Sequence, residues 1–337
     1  MTVNDLSNCV TDCRVGNPVE RCSVCILPRT TKGLAFDDSG VCSLCRAQPA
    51  PSETSTNENS NHKSIDDVLQ RIRELGQNRK YDCLVGLSGG RDSSYLLYLL
   101  VRKHNLRCLA AHYRAPFTDD VIEENVKRTV NKLNVPLINI DISQKSHSNF
   151  AKKILIMFKK KPLPELVHLV CAPCKMVNKE VFKIARSNNI KAIVFGGNKD
   201  ETFQFGATTI PKKLGRHELY FKAQAKKGLS AMKRGVLLLA KNPRLIQCIP
   251  TGFKSILYLN PHSAYLRMRY PDILRVDYFF HEQYDEAECE RVITSELGWK
   301  LPPGCNSYWR ADCSMAEVKN LLFHRLVGAT YMDAYSK

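Results

Sequence analysis

Two groups of residues in this sequence have the types and the spacing to do chemistry. The first is Ser88-Gly89-Gly90-Arg91-Asp92-Ser93, which separates the apolar run "DCLVGL" from a second run, "SYLLYLL". The first run reads as a buried strand and the second as a helix. Two glycines at such a joint permit positive φ and let an oxygen approach the main chain. The amides that follow, with the N-terminus of the helix, form a nest for an anion, and Ser88 and Ser93 add hydroxyl donors. A phosphate loop of the G-x-x-x-x-G-K-S/T kind needs a lysine to reach the β- and γ-phosphates. Here an arginine, Arg91, stands in the loop, followed by Asp92. This is a different loop.

The second group is cysteine, of which the chain has 14. Cys22-x2-Cys25 and Cys42-x2-Cys45 are separated by sixteen residues. Four thiolates in two such knuckles suit tetrahedral zinc, and a closed four-ligand site is structural rather than catalytic. Cys171 and Cys174, in "LVCAPCKM", precede a helix, and a helix N-terminus beside Lys175 favours the thiolate. A further site there draws on the single cysteines downstream. These are Cys248, Cys289, Cys305 and Cys313. A cluster or persulfide, a structural metal and plain thiols all remain open for this set. Cys83 and Cys108 fall inside strands and read as core.

The elements that must hold these groups alternate. "DCLVGLS", "LRCLAAHY" (106–113), "VPLINIDI" (135–142) and "KAIVFGGN" (191–198) read as strands, with helices between them. That order implies a doubly wound parallel sheet, α/β in class, covered on both faces. Such sheets bind ligands beyond the C-terminal ends of their strands, where "SGGRDS", "AAHYRAPF" and "FGGNKDET" all fall. Ahead of the sheet, Ser64 is placed to cap a helix whose face is Ile65, Val68, Leu69, Ile72 and Leu75. Downstream, "FKSILYLNPHSAYLRMRY" and "DEAECERVITSELGW" read as helices, with "RVDYFF" as a strand or extended segment between them. The resulting division is a leader (1–21), a zinc-binding module (22–45) and a linker (46–64). A nucleotide-binding domain (65–210) and a helical C-terminal region (211–337) follow.

The chain has 337 residues, 44% hydrophobic and 25% charged, with a net charge of +17. It contains no run of about 18 apolar residues, which argues against a membrane helix. The start, "MTVNDLSNCVTDC", lacks the features of a secretory signal, so a cytoplasmic location is expected. The positive charge, concentrated in "KKILIMFKKK" and residues 211–234, suits an anionic partner: a nucleotide, tRNA or a nucleotide-linked sugar. The acids of "HEQYDEAECE" read as a solvated helix face. Trp299 and Trp309 read as packing residues, and His147 has no partner that the sequence identifies.

The loop "SGGRDS" resembles the PP-loop of the ATP pyrophosphatase superfamily, whose signature is S-G-G-x-D-S. A simple glycine turn is the competing reading, and six matching residues at a strand–helix joint weigh against it. The resemblance implies that Ser88, Gly89, Gly90, Arg91, Asp92 and Ser93 hold the pyrophosphate half of ATP, with Asp92 placing Mg2+ or orienting the loop. It implies that backbone groups around His112 and Tyr113 hold adenine. Gly196, Gly197 and Asn198, in a second segment, would face the phosphates. Such enzymes adenylate an oxygen of the substrate, release pyrophosphate, and let a nucleophile displace AMP. Sulfur-transferring members hold a 4Fe–4S cluster on three cysteines, which implies Cys171 and Cys174 as catalytic ligands here; "YWRADC" resembles a stretch near the C-terminus of some relatives and makes Cys313 the first choice for the third, with Cys305 second and Cys248 third. The leader "RCSVCILPRTTKGLAFDDSGVCSLC" resembles that of the N-acetyl sugar amidotransferase branch, which takes ammonia from a partner glutaminase. Three functions follow as expectations: a sulfur transferase with a sulfur donor as partner, an amidotransferase, and a non-catalytic zinc-bearing nucleic-acid binder. The last leaves "SGGRDS" unexplained. A homodimer is compatible with all three.

Overall fold

The structure is a computed structural model that describes residues 20–24, 27–46, 64–197, 243–305, 308 and 312–328. Residues 20–46 and 319–328 belong to one compact unit, and the remaining described residues to a second.

The second unit is built on five strands. They are β1 (Cys83–Gly86), β2 (Cys108–His112), β3 (Leu137–Asn139), β4 (Ala192–Phe195) and β5 (Leu274–Asp277). All pairings are parallel and the spatial order is β3-β2-β1-β4-β5. Successive side chains alternate between faces, as the pleat demands. Cys83, Val85 and Leu87 enter one core cluster with Cys108, Ala110, Ala192 and Val194. Leu84, Leu109, Ala111 and Ile193 enter the other. Both faces are therefore apolar and both are covered, which is why the strands read as unbroken apolar runs. The expected doubly wound α/β sheet is what the chain forms.

The covering helices follow from their sequence patterns. In α1 (Ile65–Gly76), Ser64 accepts from the Asp67 amide and Asp67 returns the bond to the Ser64 amide, a capping box that starts the helix where expected. α2 (Arg91–Tyr98) begins directly after the glycines. α3 (Asp120–Leu133) buries Ile122, Val126, Val130 and Leu133 at helical spacing. α4 (Gln144–Lys160) is a helix that the apolar pattern had not revealed, because its buried stripe opens on His147 rather than an apolar residue. α5 (Pro164–Leu169) leads into the turn Pro173–Lys175, and α6 (Met176–Ser187) follows it.

Downstream, the segment expected as one helix is two, α7 (Ile249–Leu257) and α8 (Ala264–Arg269). Pro261 cannot continue a helix, and Ser263 starts a new one by accepting from the Leu266 amide. β5 turns the extended reading of "RVDYFF" into a full member of the sheet, in register with β4 from Ala192↔Leu274 to Phe195↔Asp277. α9 (Glu286–Ser295) closes this part. Among the described residues no helix is long and apolar enough to cross a membrane.

β1 lies at the switch point of the sheet. Its neighbour on one side is β2 and on the other β4. Loops leaving the C-terminal ends of β1 and β4 therefore diverge around a crevice, the usual ligand position in such sheets.

Candidate active site and metal centre

The loop Ser88–Ser93 leaves β1 at this crevice. Gly89 has φ +86°, and a Cβ there would lie 2.7 Å from Ile122 Cγ2 and 2.8 Å from Val126 Cγ2. Glycine is required both for the backbone angle and for the close packing on α3. Gly90 is the N-cap of α2 and carries no side chain to cap it, and Asp312 lies against it, its carboxyl carbon 3.3 Å from where a Cβ would stand. The serines knit the turn together. Gly90 N donates to Ser88 Oγ (3.2 Å), Ser88 Oγ and Ser93 Oγ lie 3.1 Å apart, and Ser94 Oγ donates to the Gly90 carbonyl (2.9 Å). A turn of this kind at a helix N-terminus has the geometry that anion sites use.

A residue read as simple packing holds this turn in place. Trp299, buried, donates from Nε1 to the Gly89 carbonyl at 2.8 Å. Buried Asn125 in turn clamps the next residue: its Oδ1 accepts from Lys300 N (2.9 Å) and its Nδ2 donates to Lys300 O (2.7 Å). The loop is thus fastened to α3 directly and through Trp299. Nothing in the local sequence ties Trp299 to a turn some two hundred residues away.

Arg91 does not reach into the crevice. Its side chain is buried, with Nε on Asp92 Oδ1 (3.0 Å) and Nη1 on Glu290 Oε1 (3.1 Å) and on Glu286. Burial opposes the charge, but Asp92, Tyr284 and Glu286 outweigh it and raise the guanidinium pKa further. The acids of "HEQYDEAECE" were expected to face solvent. Glu286 and Glu290, one turn apart on α9, instead bind Arg91, and that reading is corrected. Asp92 Oδ1 also accepts from Tyr284 Oη, whose own pKa is raised by burial and by Asp92. The Asp92 carboxylate is therefore held from the protein side while its side chain remains 23% exposed at the rim.

Across the crevice, Gly196 lies against the first turn of α2, where a Cβ would sit 3.5 Å from the Asp92 carbonyl. Gly197 faces Asp277, with a Cβ position 3.9 Å from Oδ1. Asn198 lies outside the described residues. At the end of β2, the His112 ring is buried. Nδ1 donates to the Leu87 carbonyl (2.7 Å), and Nε2 meets Glu123 Oε1 (3.1 Å). His112 thus braces β1 against α3, and only its main chain is left for a ligand.

Tyr113 leads to the second cysteine set. Its hydroxyl lies 2.9 Å from His147 Nδ1, and His147 Nε2 lies 3.7 Å from Cys174 Sγ. Burial pushes His147 down to about 4, so the ring is neutral. Burial, followed by Cys174 and Cys313, pushes Tyr113 up to about 12. Cys313 is brought to the same place by Ser314, whose amide and hydroxyl both donate to the Phe117 carbonyl at 3.0 Å. Cys171 is one turn from Cys174, whose amide donates to the Cys171 carbonyl (3.2 Å). Among the described residues these three sulfurs do not gather within the 4.8 Å span found for Cys22, Cys42 and Cys45. Cys248 and Cys289 are buried; burial drives Cys289 up to about 12, as expected of an inert core thiol. Cys83 and Cys108 face each other in register on β1 and β2, sulfurs 3.6 Å apart, within the core.

The N-terminal unit carries its own cluster. Cys22, Cys42 and Cys45 sulfurs lie within 4.8 Å of one another, with Cys22 Sγ 3.9 Å from Cys45 Sγ. Zinc–sulfur bonds of about 2.3 Å in a tetrahedron separate sulfurs by about 3.8 Å, so the spacing fits. Amides of Val24 (3.5 Å) and Cys42 (3.3 Å) donate to Cys22 Sγ, which stabilises a thiolate. Cys25, the expected fourth ligand, lies outside the described residues.

No family profile and no curated protein sequence matches the chain. Solved structures do. One is an NH3-dependent NAD synthetase from Campylobacter jejuni, 18% identical over 58% of this chain and 95% of that one, with a TM-score of 0.30. Another is the U34-tRNA thiolase NcsA from Methanococcus maripaludis with its 4Fe–4S cluster, 14% identical over 95% and 86%, at 0.35. A third is an NMN synthetase from Francisella tularensis, 14% identical over 78% and 94%, at 0.30. Likeness at these scores carries no argument about chemistry. That argument rests on the residues above.

Proposed function

We propose that this chain is an ATP-dependent adenylating transferase that replaces an oxygen of its substrate with sulfur. The observation that carries the reading is the Ser88–Ser93 turn: a glycine turn with positive φ and two serine hydroxyls, at the N-terminus of α2 and the switch point of a parallel sheet. In this reading the amides of the turn hold the β- and γ-phosphates, and Gly196 and Gly197 give the phosphates room. Asp92, steadied by Arg91 and Tyr284, directs Mg2+. Main-chain groups at His112 and Tyr113 hold adenine. The acceptor oxygen attacks the α-phosphorus, the bond to the bridging oxygen breaks, and pyrophosphate leaves. A sulfur nucleophile then adds to the activated carbon and AMP departs with the oxygen.

Sulfur is favoured over nitrogen by the thiols around Tyr113 and His147. Cys174 meets His147, and Cys174 and Cys313, from two distant segments, both act on Tyr113, so the thiols approach one another here. A 4Fe–4S cluster held by them would supply an open iron to carry sulfide. His147 and Tyr113 orient Cys174 in either case. The amidotransferase alternative is supported by the resemblance of the Cys22–Cys45 leader and would require ammonia from a partner glutaminase. Zinc on Cys22, Cys25, Cys42 and Cys45 is structural in both.

Anaerobic purification with iron and zinc analysis, then incubation with Mg2+–ATP, candidate acceptors and either sulfide or ammonia, separates the two. Pyrophosphate release and a product heavier by the oxygen-to-sulfur exchange are expected. A protein without iron whose Cys171→Ala variant keeps full turnover would overturn the sulfur reading.

A further inference from the structure

A cleft of about 420 Å³ opens between the first half of α4 and residues 247–251. It is lined by Lys145, Asn149 and Lys153 from one face of α4, by Gln247 and Thr251 opposite, and by Phe150 at the base. Phe150 is buried, while Lys145 and Lys153 are exposed. The same two walls, α4 and α7, both pack on the turn Pro173–Lys175 that carries Cys174. α4 follows β3, so its N-terminal turn lies on the side where β1 and β2 release the glycine loop and Tyr113.

We infer that this cleft is the acceptor site and takes a small phosphorylated substrate, a nucleotide or nucleotide-linked sugar, with its phosphate on Lys145 and Lys153. Three features point to that class. Among the described residues no carboxylate lines the cleft and the first turn of α4 holds no acid, so the two ammonium groups set the sign of the field on the occupant. The amides of Asn149 and Gln247 and the Thr251 hydroxyl offer donors and acceptors to a polar ring or sugar, and Phe150 offers an apolar floor. A concave volume of this size suits a small ligand rather than the backbone of a long nucleic acid. Both walls pack on the CxxC turn, which links the cleft to the thiols through the elements that form it.

The inference rests on the transferase reading for the acceptor's role, but its binding test does not need turnover. The loop is first filled with α,β-methylene ATP, and its affinity is recorded separately. Titration calorimetry then follows the four nucleoside 5′-monophosphates, UDP-N-acetylglucosamine, the matching nucleosides and a single-stranded RNA. Wild type is expected to bind at least one phosphorylated small molecule at least tenfold more tightly than its unphosphorylated counterpart. The Lys145→Gln/Lys153→Gln variant should lose that binding at least tenfold while keeping its affinity for the ATP analogue. Whether monophosphates or the nucleotide sugar bind identifies the source of the phosphate. Equal binding by the double variant, no preference for phosphate, no small-molecule binding, or binding by RNA alone overturns the inference. Failure of the ATP analogue to bind counts against the loop and leaves the result at the cleft to be scored by itself.

Discussion

Gly89 carries two constraints at once, and each can be measured. Its φ of +86° disfavours any side chain, and a Cβ would meet two methyl groups and a carbonyl of α3 at under 3.0 Å. Gly89→Ala should cost about 1 kcal/mol or more for the backbone and about 1–3 kcal/mol for overpacking. Denaturant unfolding checks the sum, and the KM for ATP should rise as the turn opens. Trp299→Phe is the subtler variant, since it keeps the ring but leaves the Gly89 carbonyl buried without its donor. A loss of about 1–3 kcal/mol is expected, together with a raised KM for ATP at little change in zinc content. An unchanged KM would show that Trp299 only packs. His104 supplies a pH test away from the site. Its Nε2 lies 2.7 Å from Tyr278 Oη, and burial, then Lys103, lowers its pKa. The unfolded chain therefore binds the proton more readily than the native one. This contribution is fully present above the unfolded value of about 6.5 and is lost as pH falls from there toward the lowered native value. A His104→Gln variant should flatten the stability profile in that window, and an unaltered slope would contradict it.

At the scale of elements, the ion network of Arg91 ties α2 to α9. Glu286 is 61% exposed and contributes little, whereas Arg91 is buried and Glu290 is 34% exposed. Arg91→Met should destabilise more than Glu286→Gln, and by freeing Asp92 it should also raise the Mg2+ concentration needed for half-maximal turnover. Thermal melts and a Mg2+ titration check both parts; equal melts for the two variants would contradict the ranking. Much of this frame was legible in the sequence. The strands at the core of the sheet, the α1 cap at Ser64 and the loop at residue 88 follow from local pattern. What was not legible depended on distant contacts. The acids of α9 look like a solvated face until Arg91 is folded against them. His147 on α4 looks partnerless until Tyr113 and Cys174 close around it, and β5 is too short for its pattern to assign it to a sheet.

For the whole molecule, charge and metal are the informative quantities. A net charge of +17 should concentrate anionic ligands near the surface. The affinity for phosphorylated ligands should accordingly weaken as salt screens it. The buried apolar side chains described within residues 20–46 are Cys22 and Cys42, two of the proposed zinc ligands, so loss of a bound metal is expected to loosen this segment. Cys42→Ser should remove the bound zinc and expose residues 20–46 to protease. Retention of a full equivalent of zinc by that variant would contradict the assignment.

The most direct measurement is a crystal of the protein grown with Mg2+ and a non-hydrolysable ATP analogue. The β- and γ-phosphates are expected on the main-chain amides of Gly89 to Ser93, with the adenine beside the main chain of His112 and Tyr113. Nucleotide bound elsewhere, with the Ser88–Ser93 turn unoccupied, would contradict the account at its centre.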